Sequence, residues 1–177
     1  MSCSWLTHTI YRLAALRQYG TERCMSDIGQ TYHAFWATLL PQSNRWTGFS
    51  LRSPTRRSYV EFCRVGFCFH YRLEYDAPNA LVEFALLRSD SEQIYNSLVR
   101  RRKQINAAFG GSLLWLRDAH SSEHPWPYAA LAWTIACPGL RDLDRESWPA
   151  IQSQMIDAMV RLEQAVVPYL QRWLEED

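Results

Sequence analysis

The residues with the widest chemical scope lie in the first half of the chain. The stretch RSPTRRSYVEF, residues 52–62, sets Arg52, Arg56 and Arg57 in a turn-rich segment that passes into an alternating pattern at Tyr59. Between residues 45 and 72 six arginines (Arg45, Arg52, Arg56, Arg57, Arg64 and Arg72) face a single acid, Glu61, a local charge of +5. Guanidinium groups present a planar fork of donors that matches phosphate or carboxylate oxygens, so this loop is suited to an anion. Just downstream, Phe67, Phe69, Tyr71, Leu73 and Tyr75 alternate with Cys68, His70, Arg72 and Glu74. Successive side chains of a strand point to opposite faces. His70, Arg72 and Glu74 therefore share one face, which Glu61 and Glu83 join from the neighbouring strands.

Three chemistries compete for that polar face. In the plainest it is a solvated surface with cross-strand ion pairs worth about 0.2–1 kcal/mol each. In a second, Glu74 and Glu83 are catalytic carboxylates that hold Mg²⁺ for strand cleavage. A helix, three strands, a helix and a strand follow the element order of restriction-endonuclease cores, but the lysine such a site uses to activate water is replaced by Ala85. Arg88 lies nearby, and its guanidinium is too basic to accept a proton. In the third, Arg52, Arg56, Arg57, Arg64, Arg72 and Arg101 contact phosphates while Trp46 and Tyr59 stack on bases. Arg101 belongs to a second basic run, RRRK at 100–103, which winds through a helical turn so that about two of its charges share a face.

Nucleophilic chemistry has less support. His8, His33, His70, His120 and His124 have no Ser or Cys partner at a recognisable spacing, and there is neither a G-x-S-x-G elbow nor a Gly-rich phosphate loop. His120, Glu123 and His124 share one loop and read as a polar connection. The five cysteines, Cys3, Cys24, Cys63, Cys68 and Cys137, are odd in number and contain no C-x-x-C pair. Cys63 and Cys68 can face each other across a tight turn, yet buried free thiols in a reducing cytoplasm are the favoured reading over a metal site. No metal or cofactor is expected.

The elements that must position these groups follow from periodicity. With 177 residues, 47% of them hydrophobic, the chain can bury one sizeable core, and a net charge of +1 excludes a uniformly basic nucleic-acid binder. Residues 1–26 read as an N-terminal extension, weakly ordered or an over-called start, and residues 27–177 as a single domain. Asp27 caps a helix with Ile28, Tyr32, Phe35, Trp36 and Leu39 on one face, which Pro41 ends. Strands follow at 58–65, 67–75 and 80–87, joined by Val65-Gly66 and by DAPN at 76–79. A capping box from Ser89 to Glu92 opens one helix through Ile94, Leu98, Ile105 and Phe109, ended by Gly110-Gly111. Strands at 112–118 and 128–136 precede a long C-terminal helix, capped by Ser147 and broken at Pro168.

The expected fold is thus α+β, in the order α-β-β-β-α-β-β-α: an antiparallel sheet of about five strands with helices on one face. No apolar run is long enough to span a membrane. The acidic C-terminal segment, 141–177, carries four arginines against eight acids and gives the molecule opposed ends. Its apolar stripe from Trp148 to Trp173 allows a homodimer in which that helix pairs with its copy.

The phrases YHAFWATLL (32–40), RSPTRRSYVEF (52–62), NALVEFALL (79–87), RRKQINAAFGGSLLWLR (101–117) and SWPAIQSQMIDAMVRLEQAVVPYL (147–170) together resemble the bacterial and archaeal family called domain of unknown function 4268, over roughly residues 27–172. The resemblance implies an accessory role beside nuclease or phage-defence components and brings no catalytic residues with it. It implies that Glu83, in VEFAL, is the acidic residue of the family's strand motif. It also implies that Arg56-Arg57 keep the positive charge that many relatives carry as Lys. The function expected is a non-enzymatic, cytoplasmic binding or adaptor module for nucleic acid or an acidic protein, with a metal-dependent nuclease as the alternative.

Overall fold

The computed structural model describes residues 27–43, 53–64, 66–119 and 127–174, with Arg64, Arg172 and Leu174 described by their backbone alone. Helix α1 covers 27–43. It is followed by β1 (Tyr59–Arg64), β2 (Phe67–Leu73) and β3 (Ala80–Leu86), then α2 (Ser91–Val99), α3 (Arg102–Phe109), β4 (Leu114–Ala119), β5 (Tyr128–Ile135) and α4 (Trp148–Val166). The final helix breaks at Pro168 as expected: a 3₁₀ turn over Val167–Tyr169 separates α4 from the short α5, Gln171–Leu174.

The five strands form one antiparallel sheet in the order β1-β2-β3-β5-β4. The meander β1-β2-β3 is as expected. The chain then leaves through α2 and α3, lays β4 at the far edge, and returns with β5 into the slot beside β3. Register fixes the faces. Phe67, Phe69, Tyr71 and Leu73 of β2 join Val82 and Phe84 of β3 and Leu131 of β5 in a core completed by α1, α2, α3 and α4. On the opposite face Cys68, Ala85, Ala119, Tyr128 and Ala130 form a small cluster of strand residues and the residues beside them.

The helices seat on this core through specific ties. Phe35 of α1 meets Trp148 of α4 edge-on at 5.3 Å. Buried Gln152 of α4 donates to the Phe35 carbonyl at 2.9 Å and to Thr38 Oγ1 at 2.7 Å, which satisfies an amide that burial would otherwise penalise. Ser43 ends α1 buried against β2, its hydroxyl 2.9 Å from that of Tyr71. Helix α1 thus runs two residues beyond Pro41, which sits in its last turn where few hydrogen bonds remain to lose. The apolar stripe of α4, including Ile151, Met155, Met159 and Leu162, is buried in the chain's own core.

Two helix starts differ from expectation. The capping box at Ser89 does not form: α2 begins at Ser91 with Asp90 as its N-cap and no side-chain cap bond. Asp90 is instead held by Arg88, Nε to Oδ1 at 3.0 Å, and Glu92 reaches Arg117 at 2.9 Å. The expected single helix from there to Phe109 is interrupted at Arg100–Arg101, where the Arg101 amide bonds the Leu98 carbonyl and tightens the turn. Ser147 likewise contributes no side-chain cap bond to α4, because a 3₁₀ turn over Arg145–Ser147 precedes it and Asp144 accepts from the Glu146 amide.

Gln152→Ala leaves the α1–α4 junction without its polar tie and opens space in the core. The expected loss is about 1–3 kcal/mol in denaturant unfolding, with an unchanged far-ultraviolet circular dichroism spectrum.

Candidate functional site

The face turned away from the described helices carries the charged residues in register. Glu61 of β1 lies opposite His70 of β2, and His70 opposite Glu83 of β3. The imidazole therefore stands between two carboxylates, with Nε2 3.6 Å from Glu61 Oε2 and Nδ1 3.3 Å from Glu83 Oε2. Arg72 places Nη2 3.8 Å from the same Glu83 oxygen. His70 is 0% and Glu83 2% exposed, so this rung is not the solvated surface that the plainest sequence reading describes.

Burial works against a charged imidazole. The bonds to Glu61 and Glu83 and the charge of Glu83 outweigh burial and the nearby Arg72, and His70 is raised above its ordinary value. Because the carboxylates approach opposite ring nitrogens, the three groups do not converge on one point and do not form a metal cage. Both nitrogens face carboxylates, which makes His70 a bridge between the two flanking strands rather than a base for a nucleophile.

The neighbouring rung holds the arginine-rich stretch. Tyr59 lies opposite Arg72, and its ring is approached by the guanidinium centres of Arg57 at 5.8 Å and Arg72 at 6.0 Å. Arg57 Nη1 donates to the Tyr59 hydroxyl at 2.8 Å, and the His70 ring meets Tyr59 edge-on at 6.2 Å. Tyr59 is itself buried, so its role is to seat the arginines; a base has no open face of this ring to stack on. The loop is fixed from both ends. Trp36 of α1 donates to the Arg57 carbonyl at 2.8 Å, and Thr55 Oγ1 donates to the Tyr59 carbonyl at 2.8 Å.

Ser53, Thr55, Arg57, Tyr59, Val60 and Glu61 line a cleft of about 340 Å³. Arg57 is exposed there, while the neighbouring Arg56 runs beside α1, where a side chain at Gly29 would meet its Cβ at 3.3 Å. Arg101 lies in the helical layer with its guanidinium 5.3 Å from the Tyr169 ring, and no residue of its run lines the cleft. The two basic runs therefore do not line one groove. Glu74 is exposed beyond the end of β2, four residues or about 13 Å along the strand from the rung of Glu83, so the two candidate carboxylates are not paired. Arg52, Arg45 and Trp46 lie outside the described residues, as do His120, Glu123, His124 and the extension at 1–26; the side chain of Arg64 does too.

The expectation of free thiols at Cys63 and Cys68 is overturned: their sulfurs are joined at 2.08 Å. Backbone bonds such as Leu73 N to Ser58 O alternate along β1 and β2, so residues 63 and 68 form a narrow pair without mutual hydrogen bonds, the kind in which facing side chains come closest. The spacing C-R-V-G-F-C already contained this. The register that sets 64 opposite 67 sets 63 opposite 68. The hydroxyls of Ser53 and Thr55 were the other residues overlooked, since nothing in their types separates cleft-lining from turn-forming roles.

A histidine raised on folding contributes stability that is fully present below its unfolded value, about 6.5, and fades as pH climbs through the higher folded value. His70→Gln is therefore expected to lower the melting temperature, and the gap to wild type should narrow as pH is raised above the ordinary histidine value of about 6.5. Paired thermal melts across that range measure it. A gap that stays constant assigns the loss to packing rather than to charge.

No curated protein and no solved structure matches the chain. The family model described as domain of unknown function (DUF4268) does, over residues 31–170, a span from α1 through the last 3₁₀ turn that takes in the charged rung and the cleft; the chain belongs to that family.

Proposed function

We propose that the chain is a non-enzymatic binding module of a DNA-associated or defence-like assembly, which takes phosphate groups of nucleic acid in the cleft at Arg57. The observation that carries this reading is the seating of Arg57. Its guanidinium is exposed in a cleft whose wall also carries Ser53, and it is held by the Tyr59 hydroxyl rather than left to wander. A pre-positioned fork of donors loses less freedom on meeting a phosphate than a loose one. Arg56 adds a second exposed cation at the same loop.

This is recognition of a backbone and not of bases. With the Tyr59 ring buried, no aromatic group described at the cleft is open to stack on a base, so single strands and duplexes of any sequence should bind alike. Nothing in the rung favours strand cleavage. Glu83 is buried in contact with His70 and Arg72, and the carboxylate that would share a Mg²⁺ with it is distant.

Filter retention of a short duplex at low salt should be lost on replacing Arg56 and Arg57 together by Ala. The slope of log affinity against log salt should become shallower by about 1.8 units if each arginine meets one phosphate. Mg²⁺ should leave the duplex intact in both proteins. A wild-type chain that is not retained at low salt removes the reading, and one that cleaves the duplex replaces it with the nuclease alternative.

A further inference from the structure

The Cys63–Cys68 bridge occupies the rung next to Glu61 and His70 on the same face of the sheet. Cys63 is exposed and Cys68 is buried, and Glu61 Oε2 lies 3.6 Å from the Cys63 sulfur. In the bridge that sulfur has no proton to donate, so the approach is a contact and not a hydrogen bond. Three donor atoms, one carboxylate oxygen and two sulfurs, lie within 4.8 Å of one another. We propose that this pair is a reversible dithiol–disulfide site whose reduced form, with Glu61, binds a thiophilic divalent metal ion of the zinc type.

The hairpin supports both states. With the Cα atoms 4.1 Å apart and fixed by the ladder, the two sulfurs meet without rearrangement of the strands. Closure removes one hydrogen from each thiol, joins the sulfurs, and passes two electrons to a low-molecular-weight disulfide, which leaves as two thiols. Exposed Cys63 is the sulfur such an oxidant can reach. Opening restores two facing thiols, which bind the metal as thiolates, while Glu61 supplies a third ligand and water the fourth position of a tetrahedron. Two thiolates favour zinc-like ions over Mg²⁺ or Ca²⁺. Since a bridged sulfur is a poor donor, the metal and the disulfide exclude each other, and the carboxylate that would hold the ion is the one that faces His70 Nε2.

The test uses the full chain, reduced with a phosphine, freed of reductant under nitrogen, and titrated with Co²⁺ alone. The expected result is one Co²⁺ per chain with a thiolate-to-cobalt charge-transfer band, displaced by Zn²⁺, lost on treatment with oxidised glutathione and regained on reduction. Oxidised protein digested without reductant should yield a peptide pair linked through Cys63 and Cys68. Replacing both cysteines by Ser should abolish the band, while Glu61→Gln should weaken binding and keep it. A reduced wild type with no such band overturns the metal site, as does a band that survives in the double variant. Absence of the linked peptide overturns the redox pair, and neither that measurement nor the cobalt titration of wild type depends on a substituted protein folding.

Discussion

A strand shows its side chains alternately to its two sides, and in this chain the alternation is kept in step across β1, β2 and β3. A slip of one residue between β1 and β2 would send Glu61 toward the helices and separate it from His70. Phe62, Phe69 and Phe84 are held on the core side by the same register that sets Glu61, His70 and Glu83 opposite them. The aromatic core and the charged rung are thus two outcomes of one pairing, and neither can be changed in place without disturbing the other.

Much of this was legible in the sequence because it rests on period. The alternation from Phe67 to Leu73 and the three-four steps of α4 each report a face that must be buried, and both were placed within a residue or two. The polar face was legible for the same reason. Glu61, His70 and Arg72 were assigned to one side, and the contacts between them follow from register. What could not be read was depth. Nothing in the residue types says that His70 and Glu83 are withdrawn from water, because alternation gives a face and not how closely neighbours such as Tyr59 and Arg72 pack on it.

Local rules failed where a tertiary partner competed for the same group. Glu92 was free to complete a capping box only if Arg117, twenty-five residues later on β4, did not claim it. Arg56 and Arg57 were read as a pair, yet the first lies along α1 and the second turns toward Tyr59. The predominance of arginine, eighteen against a single lysine, also acquires a structural use. Nine arginines among the described residues place their planar heads against aromatic rings, from Arg57 on Tyr59 to Arg161 on Phe109. An ammonium group offers no flat surface for such contacts.

The segment after β5 is sewn to the turn between β2 and β3. The Asn79 amide bonds the Cys137 carbonyl, and the amides of Leu140 and Arg141 bond the carbonyls of Glu74 and Tyr75. Gly139 lies so close that a side chain there would meet the Tyr75 oxygen at 2.6 Å. This seam has a kinetic meaning. The lead-in to α4 has no docking edge until the β2–β3 hairpin has closed, so assembly of the longest helix onto the sheet waits on a hairpin some sixty residues earlier, and the folding barrier carries that long-range closure.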